Sequence, residues 1–189
     1  MSLAGFLSTI IHIMDAAGVP HMLTGSLAAA YYATPRATQD IDLVIDAREE
    51  QIERVVDELT AEGLYVNREA ALDAFRAQGQ FNAIDPESGW KVDLIVRKER
   101  PFSTTEFSRR AFVQLLGIEV ALTSVEDLII AKLEWSQLGD SDLQRRDLVQ
   151  LLDASWDSMD RAYVASWVER LGLDQSWREI LARHRTGPR

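Results

Sequence analysis

Asp40 and Asp42 lie two residues apart in the run Asp40-Ile41-Asp42-Leu43-Val44-Ile45. The alternation is that of a strand with two unlike faces, so both carboxylates leave one face while Ile41, Leu43 and Ile45 leave the other. Like charges held this close repel unless a cation stands between them. Hard divalent cations such as Mg²⁺ bind in this way, through a few carboxylates combined with substrate phosphates. Taken by itself, an Asp-x-Asp pair is also the ordinary solvated face of a strand.

Two further features point the same way. Gly25-Ser26 falls between an expected strand and an expected helix. A glycine there lets the backbone approach a ligand closely, and the N–H groups opening the helix form an anion site. The plain alternative is that Ser26 simply caps the helix. Asp93 lies in Trp90-Lys91-Val92-Asp93-Leu94-Ile95-Val96, an otherwise apolar strand where a charge needs a partner. Its plain alternative is an edge-strand aspartate paired with Arg97 or Lys91. The chain has neither G-x-x-x-x-G-K nor G-x-G-x-x-G, so a P-loop or Rossmann mode of phosphate binding is not expected.

The elements that must position these residues follow from periodicity and punctuation. Phe6–Ala17 is expected as an amphipathic helix closed by Gly18, His21–Thr24 as a strand, and Leu27–Ala33 as a helix stopped by Pro35. Asp40–Ile45 is the acidic strand. Glu49–Glu62 is a helix with Gly63 at its C′ position, and Glu69–Ala77 a shorter one. Phe81–Asp85 and Trp90–Val96 form a hairpin around Pro86-Glu87-Ser88-Gly89, and Ala111–Leu115 pairs with Ile118–Leu122 around Gly117. From Ser124-Val125-Glu126-Asp127, a capping signal, the chain turns helical. One helix reaches Leu138 and is ended by Gly139. A second starts at Ser141 or Asp142 and runs to Asp153, and two more cover Asp160–Leu171 and Asp174–Arg183. The expected fold is α+β: a small mixed sheet flanked by helices over residues 1–122, then a helical part over 123–189.

Bulk composition narrows the partners. The formal net charge of −10 argues against broad, sequence-independent nucleic-acid binding, which needs a basic surface. Basic residues cluster at Arg97–Arg100, Arg109-Arg110 and Arg145-Arg146, and solvated element ends account for them. There is no cysteine, which excludes disulfides, thiolate metal sites and cysteine nucleophiles and fits a reducing cytoplasm. Neither a bilayer-spanning apolar run nor a basic-apolar signal segment is expected, and no membrane partner. His12, His21 and His184 lack paired spacing and are expected to be structural or surface residues. Trp135, Trp156, Trp167 and Trp177 are expected to fill a core. Arg36 could reach a phosphate from its place before the acidic strand, and Thr38 and Gln39 shape the turn.

Gly25-Ser26, then Asp40-Ile41-Asp42-Leu43, then the distant Asp93, resemble the DNA polymerase β-type nucleotidyltransferase superfamily. Its pattern is a hydrophobic residue, Gly, Gly or Ser, a gap, an acidic-apolar-acidic strand and a third acid downstream. The resemblance covers Gly18 to Val96. It implies two Mg²⁺ ions on Asp40, Asp42 and Asp93, an NTP whose phosphates meet Gly25 and Ser26, and transfer of a nucleoside monophosphate to an acceptor. The C-terminal residues Ala131-Lys132-Leu133 and Arg145-Arg146-Asp147-Leu148 resemble the bacterial branch that includes AbiEii-type toxins and uncharacterised relatives. That resemblance implies Lys132 on the NTP phosphates, Asp147 completing the site, and an antitoxin as partner. By the residues themselves, a Lys132–Asp147 ion pair or a lysine snorkelling past Leu128, Ile129 and Trp135 stays equally open. The acceptor is tRNA, a protein side chain or a small molecule such as an aminoglycoside. The competing expectations are a catalytically silent nucleotide-binding or partner-binding module on the same fold, and a structural Ca²⁺ site.

Overall fold

The computed structural model describes residues 1–34, 38–138 and 142–186. Pro35, Arg36, Gly139 and Ser141, to which the sequence gives a helix stop, a phosphate contact, a helix end and a helix start, lie outside the described residues. In chain order the elements are α1 (Leu3–Ala16), β1 (His21–Thr24), α2 (Gly25–Tyr32), β2 (Asp40–Ile45), α3 (Glu49–Ala61), β3 (Tyr65–Val66), α4 (Arg68–Ala77), β4 (Gln80–Ile84), β5 (Lys91–Val96) and α5 (Pro101–Ser108). They continue with β6 (Ala111–Leu115), β7 (Ile118–Leu122), α6 (Val125–Leu138), α7 (Asp142–Ser155), α8 (Arg161–Leu171) and α9 (Asp174–Thr186). The described residues fall into two compact units, one within Met1–Leu27 and Ala37–Thr123, the other within Ala28–Arg36 and Ser124–Arg189.

The first unit is built on a seven-stranded sheet in the order β3-β4-β5-β2-β1-β7-β6. It is mixed, as expected: β1 is parallel to β7 and β2 to β5, while β1–β2, β3–β4, β4–β5 and β6–β7 are antiparallel. The period-2 pattern of β2 and β5 is realised in burial. Ile41, Leu43, Ile45, Val92, Leu94 and Val96 are all buried, and the intervening residues are only half-covered. These apolar faces anchor the two central strands, so the polar residues between them must project from the opposite face.

Some boundaries differ from the sequence expectation. α1 starts at Leu3 because Ser2 caps it, its hydroxyl accepting from the Gly5 N–H at 3.1 Å. α2 begins at Gly25, so Ser26 is inside the first turn and is not a cap residue. The two-residue β3 and the helix α5 were not expected. α5 carries Pro at its start, a helix-opening signal, but buries Phe102, Ser103, Glu106 and Phe107, a mixed face that hides its period. β5 is flanked by β4 and β2 and is therefore no edge strand. Leu116 and Gly117, with φ of 54° and 81°, form the β6–β7 turn, where a two-residue hairpin favours positive φ at both positions.

The second unit is helical. Asp127 in the first turn of α6 is fully buried and receives two hydroxyl donors, Ser124 at 2.6 Å and Tyr163 of α8 at 2.5 Å. The Ser124 hydroxyl also accepts from the Asp127 N–H at 3.2 Å, the cap the sequence signals. Burial pushes the Tyr32 phenol up to about 12, with the Tyr31, Glu126 and Asp127 charges adding to it. Trp167 is buried, but Trp135 is 50% exposed, so the lysine-bearing face of α6 does not extend inward that far. Leu143 is exposed while Leu151 is buried, so Asp147 shares its environment with the latter.

α6 and α7 are joined by an ion pair. The Lys132 ammonium lies 2.9 Å from the Asp147 carboxylate and also donates to the Gln144 amide oxygen at 3.1 Å. Both charged side chains are almost wholly removed from solvent, at 6% and 4% exposure. Removing one member of such a pair strands the other. Lys132→Met keeps the stem and deletes the charge, and is expected to lower stability by about 3 kcal/mol or more. Denaturant unfolding of the ligand-free protein measures this, and an unfolding curve superimposable on that of the unsubstituted protein would refute it.

Candidate active site

The sheet brings Asp40, Asp42 and Asp93 to one face. β2 and β5 run parallel with Asp42 opposite Asp93 and Asp40 opposite Lys91. Residues directly opposite on paired strands project to the same side. On the other flanks, Thr24 of β1 is opposite Asp42 and Asn82 of β4 is opposite Asp93. A polar row therefore crosses the four central strands: Thr24, Asp42, Asp93, Asn82.

Gly25 forms one wall. It has a φ of +66°, and an added Cβ would fall 1.9 Å from the Asp42 Oδ2 and 2.7 Å from the Asp42 Cβ. The Asp42 carboxylate thus rests against the glycine backbone where no side chain fits. The Ser26 N–H points at the same oxygen, at 3.4 Å. Gly25 and Ser26, expected at phosphate, are in this structure neighbours of Asp42, which puts the opening of α2 beside the first half of β2.

Lys91 completes the arrangement. Its ammonium lies 2.7 Å from an Asp93 oxygen and 3.4 Å from an Asp40 oxygen. Burial alone would weaken the ammonium, but the Asp93 hydrogen bond and charge, with Asp40 behind them, raise its pKa above the usual lysine value. Of the two partners proposed for Asp93, Lys91 is the one found; Arg97 pairs with Asp46 at 3.0 Å and lies over the Phe107 ring. Sequence reasoning named Lys91 only as an alternative partner. Its spacing, two residues before Asp93 on the same strand, already placed it on the acidic face.

These residues fit a divalent cation by their chemistry. Three hard carboxylates share one face of two directly paired strands, one of them packs against a glycine that has no side chain, and a positive group already bridges the other two. Among the described residues no three acidic or imidazole side chains stand close enough to form a ready-made cation cage. The physical reason is visible in the contacts: Asp40 and Asp93 are drawn to Lys91, and Asp42 is turned to Gly25 and Ser26. Lys132 and Asp147, also expected at the nucleotide, are brought together with each other in the second unit. His21 donates through Nδ1–H to the Val19 carbonyl at 3.0 Å, and His184 lies 2.7 Å from Asp153.

Known structures share this architecture. ANT(2'')-Ia in complex with adenylyl-2''-tobramycin superposes with a TM-score of 0.60 at 14% identity, over 94% of this chain and 99% of that one. The lincosamide antibiotic adenylyltransferase LnuA, bound to lincomycin, gives 0.56 at 13% identity, over 79% and 96%. An antigenic nucleotidyltransferase-like protein from Paracoccidioides brasiliensis gives 0.50 at 19%, over 93% and 92%. Neither a protein-family model nor a curated protein sequence matches the chain. At these identities the likeness is one of fold, and the fold is that of nucleotidyltransferases. Among the described residues no helix is long and apolar enough to cross a membrane.

The glycine wall gives a direct test. Gly25→Ala places a methyl group against Asp42 and forces a left-handed backbone on alanine. A loss of about 2 kcal/mol or more is expected from the strain and the displaced carboxylate together. Thermal or urea unfolding checks this, and unchanged stability would show that Asp42 does not need the glycine.

Proposed function

We propose that this chain is a Mg²⁺-dependent nucleotidyltransferase that moves a nucleoside monophosphate from an NTP to the hydroxyl of a small-molecule acceptor. The observation that carries the proposal is that Asp40, Asp42 and Asp93 share one face of the paired strands β2 and β5, with Asp42 against the glycine-serine opening of α2. Two Mg²⁺ ions, held by these three carboxylates, would lower the pKa of the acceptor hydroxyl and neutralise the departing pyrophosphate.

The chain's own groups do the rest. The backbone of Gly25 and the N–H of Ser26 take phosphate oxygens at the positive end of α2. Asp93 accepts the proton of the acceptor hydroxyl. The acceptor oxygen bonds to the α-phosphorus as the bond from that phosphorus to the bridging oxygen of pyrophosphate breaks. Holding both reactants in line supplies much of the rate, because it converts an encounter into an intramolecular step. Lys132 and Asp147, which the resemblance assigns to the nucleotide, have in their ion pair a sufficient physical reason to be where they are, and the proposal does not require them.

The choice of acceptor rests on two supports. ANT(2'')-Ia is seen with an adenylylated tobramycin and LnuA with lincomycin, both small hydroxyl-bearing molecules. The acidic excess of this chain does not favour a long polyanion such as tRNA. Transfer to tRNA or to a protein, with an antitoxin partner as in the AbiEii-type branch, is the competing version and is read out by the same experiment.

That experiment incubates the protein with Mg²⁺, each α-labelled NTP in turn, and separately aminoglycosides, lincosamides, tRNA and a protein extract. Label is expected on a small molecule. Asp42→Asn, nearly isosteric, is expected to retain the fold by circular dichroism and lose at least about a hundredfold in transfer, more than outer-shell changes at metal sites typically cost. Label in no fraction would favour a catalytically silent module, and full activity in Asp42→Asn would remove the site assignment.

A further inference from the structure

We propose that Lys91 is a tethered counter-cation that competes with the divalent metal for Asp40 and Asp93, so that nucleotide binding is what releases the carboxylates to the metal. The inference rests on the metal-dependent function proposed above and adds a regulation of that site.

The case begins with register. Lys91 is opposite Asp40 and two residues before Asp93 on β5, so strand geometry alone puts its side chain between them. The contacts realise this, at 3.4 Å to Asp40 and 2.7 Å to Asp93. Asp93 is the more enclosed, with 13% of its side chain exposed against 31% for Lys91 and 49% for Asp40. Carboxylates so placed need a cation. The neighbouring cation, Arg97, is engaged by Asp46 at 3.0 Å and Thr104 at 3.2 Å.

Mobility then separates Lys91 from the carboxylates it holds. β5 is bonded on both sides, by β2 and β4, and β2 by β5 and β1, so the backbone under the carboxylates is fixed. Lysine carries its charge on a flexible four-carbon stem and holds a partner as a point charge. The stem can leave without moving either strand. Lys91 holds one oxygen of each carboxylate, and a divalent cation placed between Asp40 and Asp93 would stand where the ammonium stands and repel it, so the two cations compete. An arriving triphosphate offers the ammonium a more highly charged partner. Metal affinity should therefore be low without nucleotide and high with it, and by linkage the metal raises nucleotide affinity by the same factor.

The test measures Mn²⁺ binding through the electron paramagnetic resonance signal of the free ion, with and without a non-hydrolysable ATP analogue. The proteins are the unsubstituted chain, Lys91→Gln, and Lys98→Gln, which removes the same charge from the exposed segment after β5. Lys91→Gln is expected to bind Mn²⁺ alone about tenfold more tightly or better, since a unit charge has left the contact distance of the site. Its gain from nucleotide should shrink correspondingly, while Lys98→Gln stays near the unsubstituted protein. Equal or weaker Mn²⁺ binding by Lys91→Gln, or an equal gain in Lys98→Gln, overturns the role of Lys91 and leaves the metal-dependent function standing. Absence of Mn²⁺ binding in all three, with nucleotide present, overturns both.

A second measurement needs no substitution and holds even if Lys91→Gln does not fold. The chain has three lysines, Lys91, Lys98 and Lys132, so reductive ¹³C-methylation gives few, assignable signals. Mg²⁺ with the analogue should shift the Lys91 methyl resonance and leave that of Lys98 in place. A Lys91 signal indifferent to both ligands at saturation overturns the proposal.

Discussion

Asp42 and Asp93 are held opposite each other on adjacent parallel strands, where backbone hydrogen bonds fix the chains about 4.8 Å apart. The carboxylates cannot separate by moving the backbone, and Asp40 on the same face adds a third negative charge. The surroundings answer that repulsion locally. Gly25 has no Cβ, so Asp42 can fold back against it, and the Ser26 N–H faces the same oxygen. Lys91 reaches across to the remaining two. Each of these responses is electrostatic or steric and each involves a different strand or helix. The acidic row is thus the constraint around which β1, α2, β2 and β5 are arranged.

The opposite face makes this concentration of charge tolerable. Ile41, Leu43 and Ile45 of β2 and Val92, Leu94 and Val96 of β5 are buried. Apolar burial on one side of the same residues that carry charge on the other ties the strands down with a large non-directional term. A one-residue slip of β2 against β5 would turn every aspartate into the core and every isoleucine out of it, so the register that assembles the site is also the register that buries the core. Stability and site geometry are in this respect the same requirement.

The helical unit shows the second way in which the chain handles buried charge. Asp127 is satisfied by two hydroxyls, and Lys132 and Asp147 by each other with Gln144. Such contacts contribute little net stability over apolar packing but penalise any arrangement that separates the partners. They fix how α6 meets α7 and α8. The acidic face of the sheet differs, because there Asp40 and its partner Lys91 stay partly open to solvent.

Period-2 alternation determined β2 and β5, the common face of Asp40 and Asp42, and the apolar anchor beneath them, since side-chain direction in a strand depends only on position along it. Helical periodicity and the Ser124 capping signal likewise determined the α-rich C-terminal part, and the motif from Gly25 to Asp93 carried the fold class. The short β3 and the helix α5 escaped, the one too brief to show a period, the other burying a face of mixed polarity. That Asp93 belongs opposite Asp42, on an internal strand rather than an edge, was decided by strand order, which no local pattern encodes. The same holds for Gly25 against Asp42, for Lys132 against Asp147, and for Lys91 between two aspartates. Each pair is made by segments distant in the chain or by strands whose pairing local sequence leaves open. Their contacts come from long-range register and packing, and only the folded chain supplies those.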